Sequence, residues 1–252
     1  MIVAIADDLT GAAEVAGIAS RYGLRSQVQL RFDPDTAVDV IVVDTETRLS
    51  DRTEAAVRVD ELMQQVLRAA PQALFKKVDS VLRGPVCVEI ASILEATGLP
   101  RCLLVPANPG LGRTSRHGEY FVHGERLSET FFGEDPTHPR SHSRIDQLLD
   151  DSDCLDVCST RDRIEWPANG VIVPDVRYSD ELDRLAMACD AETFPAGAAE
   201  FFDAWIRLKN VGVKRRIGSL NPAGRTLWLC GSLASWQRGL GQVASQYLSL
   251  IH

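Results

Sequence analysis

Hydrophobic residues in this chain fall into short runs separated by longer stretches of helical spacing. Ile2 to Ala6 is an unbroken apolar run, the polar string DDLTG follows, and Ala12, Val15, Ala16, Ile18 and Ala19 then recur at helical intervals. The pattern predicts strand, loop and helix. Val28 to Leu30 and Val40 to Val43 are further strand candidates. Between 51 and 69, Ala55, Val59, Leu62, Val66 and Leu67 share one helical face, with Ser50 or Asp51 placed to cap it. The alternation repeats: Ala73 to Val78 reads as a strand, Val86 to Ala96 as a helix, and Cys102 to Val105 as a strand closed by Pro106.

Strands separated by helices of this length need crossover connections. These favour a mostly parallel sheet with helices on both faces, an α/β fold. From Asn108 to Ser143 the pattern becomes irregular and rich in Gly, Pro, Arg and His, as in an elaborated functional loop; Tyr120 to Val122 is a short strand candidate inside it. The α/β alternation resumes with a helix at Ile145 to Leu149, a strand at Gly170 to Pro174, and helices at Ser179 to Cys189 and Ala198 to Leu208. The expected division is a main domain over 1–210, a linker over 211–226, and a strand, Gly-Ser turn and helix over 227–252 that open a second domain.

The chain has 252 residues, of which 45% are hydrophobic, enough for a full core without disulfide staples. Lys and Arg number 27 against 35 Asp and Glu, a net charge of -8, which removes the main electrostatic support for nucleic-acid binding. No apolar run approaches the roughly 20 residues of a membrane span. The N-terminus lacks a secretory pattern, so the expectation is a cytoplasmic protein. The six cysteines form no repeated CxxC pairs and read as reduced thiols. Cys154 with Cys158, and His138 with His142, offer two metal ligands each, but each pair stands alone in what reads as a surface connection; no metal site is expected.

In parallel sheets ligands bind beyond the carboxyl ends of the strands, where three polar clusters fall here: 7–11, 44–48 and 76–84. Asp7 and Asp8 end the first strand. Helix capping by Asp8 or Thr10 accounts for one carboxylate; adjacent Asp residues can also accept from sugar hydroxyls, hold a metal or act as a general base on an alcohol. Lys76, Lys77, Val78, Asp79, Ser80, Arg83 and Gly84 follow another strand. Neighbouring lysines on a strand point to opposite faces, so only one can face a given pocket. Arg83 offers a planar fork to a carboxylate, and Gly84 lets a ligand approach the backbone at the next helix start. Arg48 is a further cation at a strand end, with an ion pair to Glu46 or Asp51 as the plain alternative. Arg113, Arg116 and His117 add positive potential in the irregular loop. Cations concentrated on an acidic protein suit a small anionic substrate.

The glycines of Pro109-Gly110-Leu111-Gly112 match neither phosphate-loop nor dinucleotide spacing, and no GxSxG elbow is present.

The strings IADDLTGAAE, DTETRLS, FKKVDSVLRGPVCVEI, PANPGLGRTSRHGEYFVHGERLSETFFGEDPTHPRSHS and GVIVPDVRYSDELDRLA, in this order, resemble the N-terminal domain of the four-carbon acid sugar kinases over roughly residues 1 to 205. That resemblance implies a sugar-acid site of the threonate or erythronate type in this domain, and ATP with Mg bound by a separate C-terminal domain. Phosphate would go to the terminal hydroxyl. It further implies that Asp8 contacts substrate and that Arg48, Lys77, Val78, Asp79 and Ser80 line the site; the charge and strand-end reading above adds Asp7, Arg83, Gly84 and Arg113 as neighbouring candidates. Asp8 is the candidate catalytic residue. Ser232 resembles a nucleotide-contacting serine, while the later glycine-rich motifs are absent from this chain. Two departures stand out: Val81 replaces the Thr of DSTLRG, and Thr47 replaces the Ser of DTESR. Expected partners are a small sugar acid and either a separate nucleotide-binding domain or a second copy of the chain. The rival readings are a non-catalytic sugar-acid binding module, or a hydrolase or isomerase using Asp8 and Lys77 without ATP.

Overall fold

A computed structural model describes residues 1–149, 157–160 and 167–209. The expected linker, the strand-turn-helix after it and Ser232 lie outside the described residues, as does Cys154.

Eight strands form one sheet: β1 (Ile2–Ala6), β2 (Ser26–Gln29), β3 (Val40–Asp44), β4 (Ala73–Lys77), β5 (Arg101–Val105), β9 (Val157–Thr160), β10 (Gly170–Pro174) and β11 (Thr193–Gly197). Their order is β2-β3-β1-β4-β11-β5-β10-β9, and every pairing is parallel. Because each connection carries a helix or a long loop across a face, the carboxyl ends of all the strands emerge at one rim. From β1 the chain passes to the edge strand β2, returns to β3 between the two, and then crosses to β4 on the other side of β1, so the strand order reverses between β1 and β4. At such a reversal the two crossovers leave to opposite faces and a crevice opens at the rim.

The helices divide between the faces as their apolar positions require. α1 (Leu9–Arg21), α5 (Ser179–Ala188) and α6 (Ala199–Lys209) bury Val15, Ile18, Leu182, Phe201, Phe202 and Trp205 on one face, where Phe75 meets Phe202 edge-on at 5.0 Å. α2 (Arg52–Arg68) and α3 (Val86–Thr97) cover the other face with Val59, Leu62, Val66, Ile90 and Ile93. Asp51 is the cap of α2, its carboxylate accepting from the Glu54 N–H at 2.9 Å. On α2, Met63 is fully buried and Leu67 is not. Residues 55, 59, 62, 63 and 66 centre the apolar stripe, and 67 lies one 100° step beyond it. A short helix α4 (Ile145–Leu148) forms where expected.

Four strands differ from the sequence expectation. The irregular loop folds into an antiparallel sheet of β6 (Arg113–Arg116), β7 (Glu119–Val122) and β8 (Glu125–Arg126), of which only the middle strand was signalled. β9, which includes Cys158, is the edge strand of the main sheet rather than a surface connection. β11 enters the middle of the sheet although it contains Pro195. The proline is tolerated because the β4 pairing begins only at Ala196, while β5 pairs along Thr193 to Gly197.

Candidate functional site: a carboxylate and guanidinium cluster at the sheet reversal

The strands that flank the reversal deliver the charged residues. β1 ends in Asp7 and Asp8, neighbouring β3 ends in the loop to Arg48, and β4 runs through Lys77 into Val78, Asp79 and Ser80. Sheet register sets Ala6 beside both Asp44 and Lys77, so residues far apart in sequence arrive at one level of the rim.

Arg48 occupies the centre. Its Nε and Nη2 bind Asp7 bidentately at 2.7 and 2.8 Å, Nη1 binds Asp8 at 2.5 Å, and Nη1 lies 3.9 Å from Asp79. The plain alternative, a pair with Glu46 or Asp51, is not what forms. Burial works against the guanidinium charge, but Asp7 first, then Asp79 and Asp8, outweigh it and hold the group above its ordinary range. The two adjacent carboxylates differ: the Asp7 side chain is 2% exposed and that of Asp8 25%. Asp8 both caps α1, accepting from the Gly11 N–H at 2.8 Å, and accepts from Arg48, so capping and charge pairing are shared by one side chain.

Arg83 closes on Asp79 in the same fork geometry, Nε at 2.8 Å and Nη2 at 2.9 Å, and the Arg83 backbone N–H adds a third donor at 3.1 Å. Burial favours a neutral Asp79, yet Arg83, with Arg48 behind it, keeps the carboxyl well below the usual carboxylate range. The Arg83 fork is therefore engaged within the chain. Arg113 donates to the Ser80 hydroxyl and, like Arg83, lies over the Phe132 ring, at 5.6 and 5.7 Å from its centroid.

Lys76 and Lys77 point to opposite faces as the strand period requires. Lys76 is fully buried against Glu89 of α3 at 2.9 Å; Lys77 donates to the Val78 carbonyl at 3.0 Å and lies 3.5 Å from Glu14 of α1. Gly84 has φ +87°, and a Cβ there would stand 3.3 Å from the Arg48 Cα and carbonyl oxygen. Its smallness accommodates the Arg48 backbone, where the sequence suggested ligand approach.

Arg116 and His117 sit at the distal turn of the hairpin, Arg116 over Phe121 at 4.4 Å, because the β6 strand carries them about 10 Å from Arg113. Sequence reasoning missed Asp135, which pairs with Arg83 at 3.2 Å, and Arg140, which donates to the Leu82 carbonyl at 2.6 Å. No periodicity marks either. A hollow of about 380 Å³ borders the cluster at Gly84 and Arg140 and is lined also by Ser50, Asp51, Pro85 and His138. None of the principal hollows among the described residues is lined by Asp8, Arg48 and Lys77 together. The opposite charges satisfy one another across the rim.

The model of the family described as "Sugar-binding N-terminal domain" matches residues 2–204. The chain belongs to that family. A D-threonate kinase of Salmonella typhimurium is 32% identical over 151 residues, 59% of this chain and 36% of the relative. A 3-oxo-tetronate kinase of Brucella melitensis is 29% identical over 257 residues, 90% of this chain and 58% of the relative. The chain thus spans between about a third and three fifths of these relatives. Among solved structures, a Bordetella bronchiseptica protein described as a domain of unknown function, a domain-swapped dimer with bound citrate, superposes with a TM-score of 0.73 at 28% identity. That match covers 82% of this chain and 57% of the other. The family and the α/β fold expected from the sequence are both established. No helix among the described residues is long and apolar enough to cross a membrane.

Proposed function

We propose that residues 1–210 form the acceptor domain of a four-carbon acid sugar kinase, binding a threonate- or erythronate-type acid whose terminal hydroxyl receives phosphate from ATP. The observation that carries this reading is the continuous cluster Asp7, Arg48, Asp8, Asp79 and Arg83 at the reversal between β1 and β4. A sugar acid needs a cation for its carboxylate and acceptors for its hydroxyls, and this rim holds both within one network. The kinase names of the relatives, and a bound hydroxy-tricarboxylate in a structural neighbour, agree with it.

Roles follow from exposure. Asp7, buried and bidentate to Arg48, orients the guanidinium; Asp8, the more exposed, accepts the substrate hydroxyl and takes its proton as phosphoryl transfer proceeds. Lys77, whose side chain is 5% exposed and whose ammonium lies 3.5 Å from the half-exposed Glu14, holds the substrate carboxylate in place of Glu14. Arg48 and Arg113 supply their remaining N–H donors. ATP provides the transferred phosphoryl group when bound, and Mg, which is held mostly by phosphate oxygens and waters, would come with it. The nucleotide-binding part, with Ser232 in it, is assigned to 227–252 and to sequence from the same or another chain. A second copy is a proposed partner, as in the domain-swapped neighbour.

Calorimetry with D-threonate, D-erythronate and the matching uncharged tetritols tests the reading. Acids that bind while tetritols do not, with affinity lost in Asp8→Asn, support it. Equal binding of acid and tetritol, or binding of neither, refutes it.

A further inference from the structure

Beneath the rim, a second ionic group is sealed in the core. Lys76 is 0% and Glu89 1% exposed, and the Lys76 Nζ meets Glu89 Oε1 at 2.9 Å. The Thr47 hydroxyl, also fully buried, donates to the same Glu89 oxygen at 2.6 Å. Thr45 Oγ1 lies 2.7 Å from Thr47 Oγ1 and 2.9 Å from the Ala6 carbonyl oxygen. The ends of β1, β3 and β4 and the first turn of α3 are thereby tied through one carboxylate.

A buried pair of this kind contributes little net stability, because desolvation consumes most of the Coulomb attraction, and apolar residues of similar volume would pack as well. Its yield is geometric. The loop it anchors is irregular: Glu46 has φ +53°, a left-handed conformation uncommon for a residue with a side chain. Thr47 turns inward immediately before Arg48 turns outward, so fixing the Thr47 hydroxyl fixes the direction from which the guanidinium reaches Asp7 and Asp8.

We infer that the Lys76–Glu89 pair, acting through the Thr47 hydroxyl, holds Arg48 in its bidentate approach to Asp7, making Lys76, Glu89 and Thr47 positioning residues of the rim cluster. Only the sugar-acid readout below rests on the proposed function. The inference also explains why a hydroxyl residue stands at 47: Ser and Thr both donate to Glu89, and Val does not.

The test uses the full chain and three variants: Thr47→Val, Thr47→Ser, and the double variant Lys76→Met with Glu89→Leu, which leaves no unpaired buried charge. The first measurement is hydrogen exchange of the Arg48 Nε–H by NMR without ligand, its resonance assigned by its loss in Arg48→Lys. The second is D-threonate affinity by calorimetry. Thr47→Val and the double variant are expected to speed Nε–H exchange and weaken binding, each about tenfold, the scale of one lost hydrogen bond to a charged group. Thr47→Ser stays within twofold on both. Nε–H exchange unchanged in Thr47→Val overturns the inference, and that variant decides alone if the double variant does not fold. Exchange that responds in a chain that binds no sugar acid upholds the positioning role and refutes the proposed function instead.

Discussion

Asp79 is the residue whose loss the cluster should tolerate least. Its carboxylate, 8% exposed, accepts three N–H donors from Arg83 and lies 3.9 Å from Arg48. In Asp79→Asn the shape is kept, but the negative charge goes and an amide N–H₂ is turned toward guanidinium donors. Removing one member of a buried pair costs about 3–5 kcal/mol, chiefly through the charge left behind. The Arg83 side chain is 27% exposed and water relieves part of that penalty, so the lower end, about 3 kcal/mol, is expected. For a domain of this size that corresponds to about 6–12 °C in Tm. Urea titration should show the midpoint falling with an unchanged slope. The pH dependence carries a sign. Asp79 is depressed in the folded protein, so its stabilisation is fully present above the unfolded carboxylate pKa near 4 and is lost as pH falls toward the lower folded value. The gap between wild type and Asp79→Asn should therefore be constant from about pH 7 to pH 5 and narrow below pH 4. A loss under about 1 kcal/mol, or a gap that widens in acid, would refute the account.

Two further substitutions separate backbone fit from charge. Gly84→Ala should destabilise by about 1–3 kcal/mol, since φ +87° and a Cβ 3.3 Å from the Arg48 backbone both oppose it, and should weaken D-threonate binding by moving Arg48. Unchanged urea stability and affinity would show that the close approach is relaxed in solution. Asp51→Ala removes the α2 cap and should cost about 1 kcal/mol by urea denaturation while leaving D-threonate affinity within twofold, because the cap faces the Glu54 N–H and not Arg48.

Local pattern was enough for the elements whose burial depends on their own periodicity. The run before Asp7 and the apolar string before Pro106 each sit where the sequence puts them, because a parallel sheet covered on both faces demands near-continuous apolar strands; the stripe on α2 does so except that Met63 takes the place of Leu67. The same pattern placed the polar clusters at strand ends, and strand period alone separated Lys76 from Lys77. β11 escaped it: the pattern assigns no strand to the stretch from 193 to 197, yet it packs so closely there that a Cβ on Gly197 would lie 2.4 Å from the Val105 carbonyl oxygen. That contact exists only once β5 is its neighbour.

Pairing choices were likewise invisible along the chain. Arg48 has acidic residues close by in sequence at Glu46 and Asp51, and its partners Asp7 and Asp8 are about forty positions away. The order of strands, β3 beside β1 beside β4, decides which charges meet. Periodicity tells each segment which side to bury, since that depends on its own residues and water; which segment lies alongside is a property of the assembled sheet, and the site is made of those adjacencies.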